Sequence, residues 1–342
     1  IMINPPIVNS PLPDGNIHGI NYVDNSTVTL ALYAPYKDFV YVLGDFNDWK
    51  ADVNYFMNKN EITPDSTIWW ITISGLTPQT EYAFQYLVDG EIRIADPYSE
   101  KVLDPSNDQY ISASTYPDLK PYPYGKTGEI VSVFQTAQTP YDWQVTDFQK
   151  PLKTDLVIYE LLIRDFIAAH DYDTLEDTLN YLKNLGINAI ELMPVMEFEG
   201  NSSWGYNSSF QYALDKYYGP SDQLKSFIDK AHSLGMAVIL DIVLNHAFGQ
   251  CPLVRLYWDS ANNRPAANNP WFNQVSPNPD FSFGNDFNHQ SGATKYFVDR
   301  VNKHWLNDFK VDGFRFDFTK GFTNTPGDGW AYDAARISIL ER

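Results

Sequence analysis

Residues 312–322 read DGFRFDFTKGF, a largely apolar stretch in which Arg315 and Asp317 stand two positions apart with opposite charge. Strand side chains alternate between faces, so this spacing places both charges on one face and Phe314, Phe316 and Phe318 on the other. A guanidinium beside a carboxylate favours its ionised form, whereas desolvation favours the neutral acid. The pair suits a carboxylate nucleophile and equally a structural ion pair that closes a strand. Asp241 raises the same question. It interrupts the apolar run MAVILDIVL, where a parallel strand covered on both faces is apolar throughout. It needs a partner, either a group of the site or backbone amides.

The elements that position these charges follow from the rhythm of the chain after Pro151. LVIYELLI reads as a strand, and TLEDTLNYLKNLG as a helix with Leu175, Leu179, Leu182 and Leu185 on one face, Thr174 as N-cap and Gly186 past its end. NAIELMPV is a second strand and SDQLKSFIDKAHSLG a second helix, bounded by Ser221 and Gly235. MAVILDIVL, the helix ATKYFVDRVNKHWLNDF, the strand KVDGFRFDF and a closing helix in WAYDAARISILER complete four strand–helix units. Strands joined by helical crossovers are parallel. In an α/β barrel the functional groups sit at the C-terminal strand ends and in the loops that follow, where Asp241 and Asp317 fall. Residues 247–292 are too long for an ordinary connection and are expected to form an excursion over that face. Trp258, Trp271, Phe281 and Phe283 there either line a cleft or pack the excursion's own core.

Upstream, TVTLALYAP, DFVYVLGDF, TIWWITISGL and TEYAFQYLVDG are short, β-branched and aromatic, and punctuated by Pro, Gly, Asn and Asp. Residues 1–115 therefore read as a β-sandwich, 116–150 as a Pro- and Tyr-rich linker, and 151–342 as four strand–helix units of an α/β barrel. Trp49, Trp69 and Trp70 in the sandwich could stack on sugar or fill its core.

The chain has 24 basic and 43 acidic residues, a net charge of −19 with both halves acidic. Such a field disfavours nucleic acid and anionic lipid as partners. The single cysteine, Cys251, excludes an internal disulfide framework and Cys-rich zinc sites. No apolar run reaches the ~18 residues of a membrane span. The opening IMINPPIVNS lacks the basic and apolar regions of a leader, and leaves open that one was removed. Compartment and oligomeric state are not legible.

DIVLNH and GFRFD, on the third and fourth strands, resemble the first and second signature regions of the alpha-amylase family of glycoside hydrolases and transglycosidases. WGYN, the Asp of YALDKYYG, DFN at 286–288 and IYELLIRDF fit the same family, the last looking most like its branching and debranching members. YVLGDFNDW with WWITISGL resembles the β-sandwich that precedes the barrel in branching enzymes, isoamylases and pullulanases.

The resemblance implies an immunoglobulin-like β-sandwich followed by the first half of a TIM (β/α)8 barrel. It implies an alpha-glucan polysaccharide or oligosaccharide as partner and a retaining double displacement. It implies Asp317 as nucleophile, Arg315 holding it ionised, Tyr206 stacking on the sugar before the cleaved bond, and Asp241 and His246 hydrogen-bonding that sugar. Lys320 matches a leaving-group-subsite lysine, but Gly321 follows it where many alpha-amylases have histidine. No cofactor is implied; Asn245 is a calcium ligand in some relatives and structural in others. The general acid is expected after a fifth strand and a third carboxylate after a seventh, both beyond Arg342, so residues 1–342 alone are expected to be inactive. The open edge of the fourth strand is expected to be covered by further chain. The alternative to an enzyme is a non-catalytic glucan-binding or scaffold protein that keeps a degenerate barrel. Branch transfer and amylase- or pullulanase-type hydrolysis are not separated by these motifs.

Overall fold

The computed structural model describes residues 4–327 and 329–342, which form two compact units, 1–108 with 120–140 and 109–119 with 141–342. The first unit contains two antiparallel sheets. One orders Gly19–Asp24, Thr27–Tyr33, Ser66–Ile73 and Asn58–Thr63; the other orders Val40–Gly44, Glu81–Val88, Val131–Gln135 and Lys101–Leu103, with Ile92–Ile94 paired to Glu81–Val88. Trp49 and Trp69 are buried in this unit, with the Trp69 indole donating to the Ala34 carbonyl at 3.0 Å. Burying such a side chain contributes about 1.5–3 kcal/mol. The sequence left their role open; the structure makes them core, and Trp70, half-buried, donates to the Ser10 carbonyl.

The reading of 116–150 as a linker is corrected. Val131–Gln135 is a strand between Glu81–Val88 and Lys101–Leu103, with Val131 and Phe134 buried. Its five residues are hidden in sequence by the Pro-, Gly- and Tyr-rich stretches around them. Residues 141–150 belong instead to the second unit: the Gln144 and Val145 amides donate to the Asp229 carboxylate at 2.7 and 2.8 Å, and Phe148 stacks on His232.

The second unit is built on a parallel sheet in chain order, Ile158–Leu161, Ala189–Leu192, Ala237–Ile242 and Gly313–Phe316, the arrangement of the first half of a (β/α)8 barrel. Ser221–Ser233 and Gly292–Asn307 are its long helices, and Ala334–Leu340 is a shorter one. One capping expectation fails. The helix expected to start after Thr174 begins at Tyr172, because the Asp171 side chain accepts from the Thr174 amide, and it breaks at Thr178 into Tyr172–Asp177 and Leu179–Asn184. The helix read as bounded by Ser221 starts at that residue, with Pro220 preceding it in extended conformation. The excursion 247–292 carries short elements of its own, with Trp271, Phe272 and Phe287 buried as its core.

Candidate active site

The third and fourth parallel strands pair in a register that sets Asp241 directly beside Arg315. Alternation then gives Arg315 and Asp317 a common face, and the Asp317 amide donates to the Ile242 carbonyl at 3.1 Å as the ladder ends. The result is one guanidinium nitrogen shared by two carboxylates. Arg315 Nη1 lies 3.0 Å from each oxygen of Asp241 and 2.6 Å from Asp317 Oδ1. Asp317 is 7% exposed, and among the described residues its Oδ2 has no hydrogen-bond partner. With one oxygen held by the guanidinium, the other remains as the acceptor this carboxylate can present to a group at the site.

Tyr206 reaches the cluster from the loop after the second strand, its phenol donating to Asp241 Oδ2 at 2.7 Å. Burial and Asp241 push that phenol well above its ordinary pKa, which keeps it a neutral donor. His246 follows the third strand and pairs with Asp286 in a two-residue ladder. Its Nδ1 lies 3.2 Å from the Asn245 amide nitrogen and its Nε2 2.9 Å from the Tyr206 carbonyl, so the tautomer inferred from these contacts carries its proton on Nε2. Burial lowers its pKa and keeps it neutral. Both ring nitrogens are engaged, so hydrogen-bonding a sugar through either requires that contact to be exchanged.

The expectation that Arg315 simply holds Asp317 ionised is only half met. Desolvation raises the Asp317 carboxyl above its ordinary pKa and outweighs the opposing hydrogen bond and charge of Arg315. Asp241, fully buried, is pushed up to about 6 by desolvation, against Tyr206 and Arg315. One cation serves two acids, and burial wins at both.

Lys320 lies three residues past Asp317, with its ammonium over the Trp330 ring at 2.9 Å from the centroid. The departure at Gly321 has a steric cause: a Cβ there would overlap Asn245 Oδ1. Trp271 is buried, Trp258 and Phe283 are exposed, and the side chain of Phe281 lies outside the described residues. Two further carboxylates were missed in the sequence. Glu160 and Glu191 are paired in register on the first two strands, and with Asp241 they offer oxygens within 4.8 Å of one another, close enough to hold a cation. Their signal was the one that exposed Asp241, a lone acid inside the apolar runs IYELLI and AIELM. Burial, then Glu160, raises the Glu191 pKa, and Arg315 opposes them.

The family described as "Alpha amylase, catalytic domain" matches residues 165–285, and that described as "Carbohydrate-binding module 48 (Isoamylase N-terminal domain)" matches residues 18–99. The chain is 32% identical over 230 residues to a malto-oligosyltrehalose trehalohydrolase of Saccharolobus solfataricus, covering 66% of this chain and 36% of that protein. It is 29% identical over 314 residues to the 1,4-alpha-glucan branching enzyme GlgB of Thiobacillus denitrificans, covering 87% and 38%. A Salmonella typhimurium structure described as an alpha amylase superposes with a TM-score of 0.68 at 25% identity, covering 90% and 44%. A Group B Streptococcus pullulanase solved with maltotetraose shares the fold at a TM-score of 0.66 and 23% identity, covering 95% and 44%. The chain thus spans less than half the length of each of these proteins.

Proposed function

We infer the reaction from the premise that this chain belongs to the alpha-amylase family, with a carbohydrate-binding module 48 preceding part of the catalytic domain. We propose that the whole protein is an alpha-glucan-active glycosidase or transglycosidase working by retaining double displacement. The observation that carries this reading is Asp317: one oxygen held by Arg315, the other buried and without a hydrogen-bond partner among the described residues. Asp317 Oδ2 attacks the anomeric carbon and forms a covalent glycosyl ester, while a general acid protonates the departing glycosidic oxygen. Water or a sugar hydroxyl then displaces the ester, and the acid, now a base, takes its proton. Arg315 stabilises the carboxylates before and between these steps. Asp241 accepts from sugar hydroxyls and positions Tyr206, whose ring stacks on the sugar before the cleaved bond.

The relatives divide between a hydrolase and a branching transferase, so both fates of the ester are tested together. Release of reducing ends from starch, glycogen or pullulan reports hydrolysis; a change in iodine colour without such release reports transfer. Asp317→Asn in the whole protein should remove both signals, and retention of wild-type activity would refute the assignment. We also propose that residues 1–342 alone bind glucan weakly and do not turn it over, because the acid of the pair is supplied from outside them. Removing general-acid help typically costs 10²–10⁴-fold. Turnover of starch by residues 1–342 at an ordinary enzymatic rate would place the acid among Glu160, Glu191 and Asp241 instead.

A further inference from the structure

His246 stands between the backbone of Tyr206 and a pair of phenylalanine rings. On one side its Nε2 meets the backbone of Tyr206. On the other its ring centroid is 6.1 Å from Phe283 and 6.2 Å from Phe318, whose own rings are 4.8 Å apart at 31°. These two phenylalanines come from different loops. Phe318 directly follows Asp317 and adopts φ 49° and ψ 38°, a left-handed conformation that a bulky L-residue rarely enters. Such strain persists where surrounding structure fixes it, and it gathers at ligand clamps. Phe283 is 44% exposed, whereas Trp271, Phe272 and Phe287 of the same excursion are 3%, 3% and 0% exposed. The excursion therefore has its core without Phe283. The following Gly284, at φ 54°, is pinned where a Cβ would come within 2.8 Å of the Ala247 carbonyl oxygen. An exposed ring thus packs against the residue that directly follows the carboxylate the chemistry needs.

We propose that Phe283 and Phe318 form a second sugar-stacking platform, which packs against the apolar face of a glucan ring neighbouring the one held by Tyr206 and Asp241, and so sets preference for longer substrates. This rests on the alpha-glucan reading above and extends it to the neighbouring subsite. Rings present flat apolar faces to the C–H face of a pyranose, and stacking by an interaction present in both ground and transition states appears in KM rather than kcat.

The test uses the whole protein and linear malto-oligosaccharides of three and seven units. Phe283→Ala should lower kcat/KM on the heptamer about tenfold, chiefly through KM, and affect the trimer less. Phe283→Trp should restore most of the loss. Phe318→Gly, which keeps the left-handed backbone and removes the ring, should match Phe283→Ala, and the double variant should fall little further because the two rings act as a unit. Thermal midpoints of the Phe283 variants should stay near that of the wild type. If the wild type acts on glucan and Phe283→Ala is unchanged, or if Phe283→Trp is as poor as Phe283→Ala, the platform is wrong and the glucan reading stands. If the wild type neither binds nor converts any alpha-glucan, both fall.

Discussion

Two ion pairs of the second unit differ in what they leave open. Lys216 and Glu197 face each other with side chains 3% and 8% exposed, and the neighbouring Asp215 accepts from the Phe198 and Tyr217 amides at 3.1 and 2.8 Å. Arg315 and Asp317 are also in contact, but the arginine side chain is 42% exposed and one carboxylate oxygen has no partner among the described residues. The first pair is closed and braces the hairpin of Met196–Phe198 and Ser208–Leu214, whose second strand begins two residues after Tyr206. The second binds its acid at one oxygen only. Opposite charges in a low-dielectric interior therefore build architecture when sealed and a reactive site when an acceptor and an approach remain.

The contrast breaks most sharply on Asp317→Asn, expected to lower turnover of the whole protein by more than about 10³-fold while shifting its thermal midpoint little, since the amide keeps shape but cannot attack. A midpoint loss as large as that of a Lys216 variant would mean that Asp317 is architectural too. Lys216→Met should strand Glu197 as a buried unpaired charge and destabilise the second unit by about 3–5 kcal/mol in urea unfolding; pairing it with Glu197→Leu should recover most of that. Unchanged stability of the single variant would show that the pair is not sealed in solution.

Gly321→Ala tests the packing behind the site. Overpacking against Asn245 should cost about 1–3 kcal/mol in the same unfolding measurement, with the effect abolished if Asn245 is also reduced to Ala. The smallest effect is in pH. A carboxyl raised from 3.8 to about 6 on folding contributes stability that is full below 3.8 and lost as pH rises through about 6. The thermal midpoint of Asp241→Asn should therefore gain on the wild type between pH 4 and pH 7, by a few degrees at most. Activity should run the other way, with an acid limb above the ordinary carboxylate range because Asp317 and Asp241 must both lose their protons. Arg315→Gln should move that limb to higher pH. A limb below pH 4 would show that neither carboxyl is raised.

The sequence by itself determined the order of strands and helices, since period-two and period-3.6 patterns are local, and it singled out Arg315, Asp317 and Asp241 because charges inside apolar runs demand partners. The same signal at Glu160 and Glu191 was there to be read. It hid the strand Val131–Gln135, whose pairing is with segments some fifty and thirty residues away rather than with its neighbours. It also misassigned the cap at Thr174, where Asp171 holds the cap position. Only the tertiary structure decided that one Arg315 nitrogen serves both acids, that burial outweighs it at each, and that Phe318 turns back onto Phe283. Those outcomes depend on register across strands and on what surrounds each charge, and desolvation is a property of the assembled neighbourhood rather than of any residue in the chain.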